Sequence, residues 1–272
     1  MAMLSKILKK ESKTIGFVPT MGYLHDGHIS LVKTAKQHTD VAVVSIFVNP
    51  IQFSPKEDLE KYPRDLKRDE EILRLAGADV LFCPSAQEMY PPGYATYINV
   101  ERLADVLCGS SRPGHFRGVT TVVAKLFGIV KPDIAYFGQK DAQQSIIIKK
   151  MAEDLNMDVE IKILPTAREK DGLAMSSRNI YLSEKERKDA LCLSQALFKG
   201  EAMIKSGERD ARTIIKAMQD IVKERPTAKV DYIEIVDTKT LRPMDEISGE
   251  ALMAIAVFVG KTRLIDNSMV TA

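Results

Sequence analysis

Val41–Val48 is apolar and β-branched along nearly its whole length, the pattern of a strand buried on both faces of a sheet. Ile15–Pro19, Ala78–Cys83, Asp133–Phe137 and Val159–Leu164 read as further short strands. Stretches of helical periodicity lie between them. These are His28–His38, with Ile29, Val32 and Ala35 on one face, Leu66–Ala76, Val119–Val130, which ends before Pro132, and Ala142–Leu155. Strands alternating with helices predict a parallel sheet covered on both sides, a doubly wound, Rossmann-like α/β domain.

After Pro165 the texture changes. Thr166–Asn179 is a polar, charged loop, and Ser183 reads as the N-cap of a helix beginning Glu184-Lys185-Glu186. A second helix covers Ala211–Val222; Val230–Val236 then alternates, and Ala251–Val259 is the last strong strand. Two helices followed by separated strands predict a smaller α+β domain. The expected division is 1–165 and 166–272.

Composition narrows the function. Lys plus Arg number 39 against 37 Asp plus Glu, a net charge of +2, so nothing electrostatic points to nucleic acid or an acidic membrane as partner. The longest apolar run, Ala251–Val259, falls well short of the ~20 residues of a membrane span. The opening MAMLSKILKKESK has too short an apolar stretch for a signal peptide. Cys83, Cys108 and Cys192 form no C-x-x-C pair, so neither a zinc ribbon nor a redox motif is expected. A cytoplasmic protein is the expectation.

The segment Pro19-Thr20-Met21-Gly22-Tyr23-Leu24-His25-Asp26-Gly27-His28 follows the first strand directly and runs into a helix. In such folds ligands bind where strand ends meet helix N-termini. Those termini attract phosphate through unpaired N–H groups and the macrodipole. Gly22 and Gly27 remove side chains where a nucleotide would approach the backbone. His25 and His28, three apart, project to nearly the same side of a helical turn. Two imidazoles facing a phosphate chain can donate hydrogen bonds to charge that grows in a transition state. A metal pair is the alternative, but His38 and His115 show no ligand spacing, and the G-x-G-x-x-G dinucleotide loop is absent.

Other groups converge on the same crevice. Asn49 and Gln52 leave the carboxyl end of Val41–Val48, and a neutral amide both donates and accepts, which suits an acceptor with hydroxyls and a carboxylate. Lys140, in Phe137-Gly138-Gln139-Lys140-Asp141, sits at a helix start, where a cation is unfavourable unless an anion lies nearby. Met175-Ser176-Ser177-Arg178 brings two hydroxyls and a guanidinium to a polar loop that can close over a ligand. Val119, Val122 and Val123 fit ordinary helix core and an apolar ligand wall equally well.

The H-x-G-H form resembles the signature of the nucleotidyltransferase superfamily. With Pro19-Thr20-Met21-Gly22 in front, the chain resembles the pantothenate synthetase (pantoate–β-alanine ligase) family. The likeness continues through Phe47-Val48-Asn49-Pro50-Ile51-Gln52-Phe53, Arg112-Pro113-Gly114-His115-Phe116-Arg117-Gly118-Val119, Phe137–Gln144 and Asp171–Asn179. The resemblance implies an ATP-dependent ligase, with Mg²⁺ carried on the triphosphate, no metal site of its own, and a homodimer. It implies ATP contacts from Met21, Gly22, Tyr23, Leu24, His25, Asp26, Gly27 and His28, then from Gly138, Gln139, Lys140 and Asp141. Ala167, where the family often has Val, joins them, as do Met175, Ser176, Ser177 and Arg178. His25, His28, Lys140 and Arg178 would be catalytic. Pantoate would meet Gln52, Asn49, Gln144, Val119, Val122 and Val123, and Gln52 would also help to place β-alanine. The rivals are a nucleotidyltransferase for a phosphorylated acceptor and a nucleotide-binding module without catalysis. His115 and Arg117 carry no assigned role.

Overall fold

The computed structural model describes residues 1–55 and 57–272. Strands β1 (Ile15–Thr20), β2 (Val41–Ile46), β3 (Val80–Phe82), β4 (Ile134–Gly138) and β5 (Glu160–Leu164) form a parallel sheet. Their order is β3-β2-β1-β4-β5. The chain winds outward from β1 in one direction and then, through β4, in the other. That reversal opens a crevice at the carboxyl ends of β1 and β4.

The helices of this half are α1 (Ala2–Lys10), α2 (Asp26–His38), α3 (Leu66–Ala76) and α4 (Ala86–Met89). They continue with α5 (Cys108–Ser111), α6 (His115–Val130) and α7 (Ala142–Asp154). Leu31, Val32 and Ala35 of α2 and Leu73 of α3 pack on Val18, Ala42, Val44 and Tyr136. On the other face, Val123 and Phe127 of α6 and Ile147 of α7 join Phe17, Val43 and Phe137. Successive residues of one strand thus enter opposite cores, which is why β2 has no polar face.

The remaining elements are α8 (Glu184–Asp189), α9 (Cys192–Lys205) and α10 (Ala211–Lys223), with β6 (Ala228–Asp237), β7 (Glu250–Val259) and β8 (Thr262–Thr271). The three strands form an antiparallel sheet in the order β6-β7-β8. Leu193, Leu197, Ile214 and Met218 cover one face at Ile233, Ile235, Met253 and Ile255. Val236, Leu252 and Ala254 turn the other way and enter the core of the parallel half.

The structure departs from the sequence reading at several elements. Ser183 caps its helix as expected, but that helix stops at Asp189 and α9 follows. β8 lies outside the expectation, because Arg263, Asp266, Asn267 and Ser268 interrupt its apolar pattern. So does α1. It is tied down by an ion pair from Lys9 to Asp133 (2.6 Å) and a Ser5 hydroxyl donating to the Ile129 carbonyl (3.4 Å). α6 begins four residues before the apolar spacing does, at His115.

Candidate active site

The carboxyl ends of β1 and β4 open into a cavity of about 230 Å³, closed on its far side by residues from Pro165 to Arg178. The turn between β1 and α2 is held from behind. Gly22 (φ 82°) and Tyr23 (φ 52°) are both left-handed, and a Cβ on Gly22 would come within 2.9 Å of Ile46. The Tyr23 and Leu24 N–H groups donate to the buried Asp69 carboxylate at 2.7 and 2.8 Å. They therefore point away from the cavity. Gly22, Tyr23, Leu24 and Asp26 shape this turn without lining the cavity, whereas Met21, His25, Gly27 and His28 form its wall.

His25 does not belong to a helical turn. It is extended (φ −135°, ψ 172°) and immediately precedes α2. The two rings meet all the same, with centroids 4.0 Å apart. The His25 N–H donates to His28 Nδ1 at 3.3 Å, which assigns the His28 proton to Nε2. Burial, followed by the neighbouring His25 and Lys140, holds His28 well below the usual histidine range. Burial and then Lys140 bring His25 down to about 4. Both rings are neutral at pH 7, so each carries a single ring N–H.

Lys140 lies in the single 3₁₀ turn Gln139–Asp141 that precedes α7 and is 3.5 Å from the Asp141 carboxylate. Asn267 of β8 donates to the Gln139 and Lys140 carbonyls, both at 2.8 Å. The Gln139 side chain turns to Asn267 (3.5 Å), and Gln139 does not line the cavity. Gly138, Lys140, Asp141 and Gln144 do, with Ala167, Met175, Ser176, Ser177 and Arg178 opposite. The Ser177 hydroxyl donates across to the Tyr23 carbonyl at 3.2 Å. Arg178 pairs with Asp58 through Nε and NH2, each at 2.9 Å.

Gln52 Oε1 accepts from Asn49 Nδ2 at 3.0 Å, and Gln52 Nε2 meets Met21 Sδ at 3.2 Å. Asn49 is buried and fully engaged: Nδ2 also donates to the Gly118 carbonyl (3.0 Å), and Oδ1 accepts from the Tyr90 hydroxyl (2.7 Å). It does not line the cavity and meets the cavity wall through its bond to the Gln52 side chain. Gly118 lets α6 approach: a Cβ there would meet the Ile51 carbonyl at 2.5 Å. The next turns of α6 add Val119, Val122 and Val123 to the cavity wall.

Arg112, His115 and Tyr62 also line the cavity, and sequence reasoning gave none of them a role. The arginine NH1 can only donate, so His115 Nε2 accepts from it at 3.0 Å. Its Nδ1 then donates to the Gln52 carbonyl at 2.9 Å. His115 thus holds the Gln52 backbone while Asn49 holds its side chain. Arg117 instead stacks on Tyr97, 3.9 Å from the ring centroid.

Burial and the adjacent Arg112 depress His115 to about 4, as burial and Lys140 do His25. Between the ordinary 6.5 and that value, the unfolded chain binds protons that the folded chain excludes, so stability falls as pH falls through this window. The unfolding free energy from denaturant titration, and with it the midpoint, is expected to hold from pH 8 to 7 and then drop towards pH 4, the free energy by up to about 3 kcal/mol per imidazole. His115→Gln should flatten part of that drop. A midpoint constant from pH 7 to 4.5 contradicts the buried neutral state.

A parallel sheet of this order carries in one crevice a histidine pair, a lysine, two serines and neutral glutamine amides, the residues expected of a nucleotidyltransferase. A sequence profile of the pantoate-β-alanine ligases matches residues 1–269, and the chain belongs to that family. It is similar to the pantothenate synthetase of Acetivibrio thermocellus, with 58% identity over 262 residues, 96% of this chain and 93% of that protein. The pantothenate synthetase of Thermus thermophilus matches with a TM-score of 0.93 and 44% identity, over 97% of this chain and 96% of that one. The pantoate-β-alanine ligase of Francisella tularensis, solved with β-γ ATP and β-alanine, matches with a TM-score of 0.80 and 37% identity. Coverage there is 97% of this chain and 94% of that one.

Proposed function

We propose that this cavity performs an AMP-forming condensation of pantoate with β-alanine. The pantoate carboxylate attacks the α-phosphorus of ATP, and the bond to pyrophosphate breaks, leaving pantoyl adenylate. The β-alanine amine then attacks the acyl carbon and expels AMP, giving pantothenate. One observation carries the reading: the His25–His28 pair and Lys140 share a cavity of about 230 Å³ with Gln52, Gln144 and the three valines. Groups suited to anionic phosphate and groups suited to an acceptor rich in hydroxyls and methyls thereby line one space. The first step needs donors where charge grows on phosphate, and His28 Nε2–H, Lys140, Ser176, Ser177 and Arg178 supply them. The second needs chiefly a held acyl group and a placed amine.

Among the described residues, Asp141 is the only carboxylate lining the cavity, and no group of three His, Cys, Asp or Glu side chains could hold a metal. That suits Mg²⁺ arriving on the triphosphate, since this ion binds through one or two carboxylates plus substrate phosphates and keeps several waters. Asp141 would hold it, and the ion would neutralise phosphate charge. No helix of the described residues is long and apolar enough to cross a membrane, which is compatible with the cytoplasmic site we propose. The change from parallel sheet to antiparallel sheet after Leu164 supports a domain boundary at Pro165.

The test is pyrophosphate release from ATP with each acceptor. Release is expected with pantoate, and neither without an acceptor nor with a phosphorylated one. The acceptor groups, Gln52, Gln144 and three valines, are neutral, and the nearby Arg112 is already paired with Glu57 and His115. Release driven by the phosphorylated acceptor alone would overturn the reading.

A further inference from the structure

Glu57 and Asp58 are adjacent carboxylates, each holding one arginine of the cavity wall. Glu57 takes Arg112 by Nε (2.5 Å) and NH2 (3.0 Å). Asp58 takes Arg178 by Nε and NH2, both at 2.9 Å. The two pairs differ in what they leave over. Arg112 NH1 is directed to His115 at 3.0 Å. Arg178 NH1 has no hydrogen-bond partner among the described residues. Arg178 lines both the main cavity and a smaller hollow of about 60 Å³ that Lys140 and Ser176 also line.

A guanidinium held by its Nε–NH2 edge presents the opposite edge in a fixed direction, because the group is planar. Tyr62 fixes the plane from one side, with its ring centroid 5.6 Å from Arg178 Cζ. Two further bonds join the same loops. Tyr181 donates to the Lys61 carbonyl at 2.9 Å, and Ser177 to the Tyr23 carbonyl at 3.2 Å. The loop that follows Pro165 is therefore fastened to the parallel half on both sides of Arg178. Burial works to raise the Asp58 carboxyl, but the hydrogen bonds and charge of Arg178 outweigh it and keep Asp58 ionised.

We propose that Asp58 is a positioning residue for the adenylation half-reaction: it holds Arg178 by one edge so that NH1 faces the phosphates, and it secures the Ser176–Arg178 loop across the cavity. The proposal rests on the reading of Arg178 as a phosphate ligand. Asp58 touches no reacting atom and acts through Arg178 alone. The pair is bidentate and mostly buried, so Asp58→Ala is expected to lower the melting temperature, whereas Asp58→Asn keeps an acceptor for the guanidinium and removes the charge.

The experiment compares Asp58→Ala, Asp58→Asn, Arg178→Ala and the double variant Asp58→Ala/Arg178→Ala, with thermal melting as a check on folding. Single-turnover pyrophosphate release should fall roughly 10- to 100-fold in both Asp58 variants, the loss that follows an ångström-scale misplacement of a reacting group. KM for ATP should rise, KM for pantoate should hold, and aminolysis of pre-made pantoyl adenylate should change less than about twofold. On the Arg178→Ala background, Asp58→Ala should add nothing, because the two act as one unit. Unchanged release in both Asp58 variants beside a defective Arg178→Ala overturns the positioning role and leaves the Arg178 reading intact. A loss from Asp58→Ala that adds in full to that of Arg178→Ala also overturns it. If Arg178→Ala itself releases pyrophosphate normally, the phosphate reading of Arg178 fails, and the proposal fails with it.

Discussion

His28→Ala and Lys140→Ala are expected to slow pantoate-dependent pyrophosphate release by roughly 10²–10³-fold, the usual loss of one preorganised donor to a charged transition state. His28 is neutral because burial and its neighbours His25 and Lys140 disfavour the imidazolium. Its Nδ1 is occupied by the His25 N–H, so its one remaining N–H is Nε2. Alanine removes that donor and leaves a hole in the wall. Lys140 brings a full charge, on a turn clamped by Asn267 through two carbonyls. On the proposed reading it meets phosphate before as well as during the reaction, so Lys140→Ala should raise KM for ATP, while His28→Ala should act mainly on kcat. Given pre-made pantoyl adenylate and β-alanine, both variants should lose far less, since aminolysis develops charge at the acyl group. A variant equally defective in both half-reactions would lose its assignment to phosphate.

The parallel half of the fold is legible because each buried run serves two cores. Val43 faces α6 and α7 while Val44 faces α2 and α3, so neither position tolerates polarity. β8 is illegible for the opposite reason. Asp266 pairs with Arg168 (2.6 and 3.0 Å), and Asn267 grips the Lys140 turn, so site-building residues replace its apolar alternation. Three consecutive polar residues, Asp266-Asn267-Ser268, inside a strand next to Ala251–Val259 were the available signal. At the site, H-x-G-H marks the right turn, but spacing alone could not say which atoms face in. The left-handed Gly22 and Tyr23 rotate their neighbours towards Asp69, 46 residues away for Tyr23. A contact that remote leaves no local pattern. Asn49 is similar: a polar residue at a strand end reads as a ligand contact, and only its three hydrogen-bond partners show that its amide is already engaged within the protein.

That distinction between Gln52 and Asn49 yields the second large effect. Gln52→Ala is expected to lower kcat/KM for pantoate on the order of 10²–10³-fold, since each buried substrate oxygen left without a partner costs about 1–3 kcal/mol. The melting temperature should change little, because in the protein Gln52 bonds chiefly to Asn49 and to a weakly accepting thioether. Asn49→Ala should behave differently on both counts. It strips a partner from Gln52 Oε1, from the Gly118 carbonyl and from the Tyr90 hydroxyl, all within 3.0 Å of the lost amide. Melting should therefore fall clearly, with KM for pantoate rising as the Gln52 amide loses its fixed direction, while KM for ATP holds in both variants. In the double variant Gln52→Ala/Asn49→Ala, the pantoate defect should be no deeper than in Gln52→Ala alone, since Asn49 reaches the substrate only through Gln52. Further loss of pantoate turnover in the double variant, at a temperature where it remains folded, would show that Asn49 touches the substrate directly, and the division between contact and support would have to be redrawn.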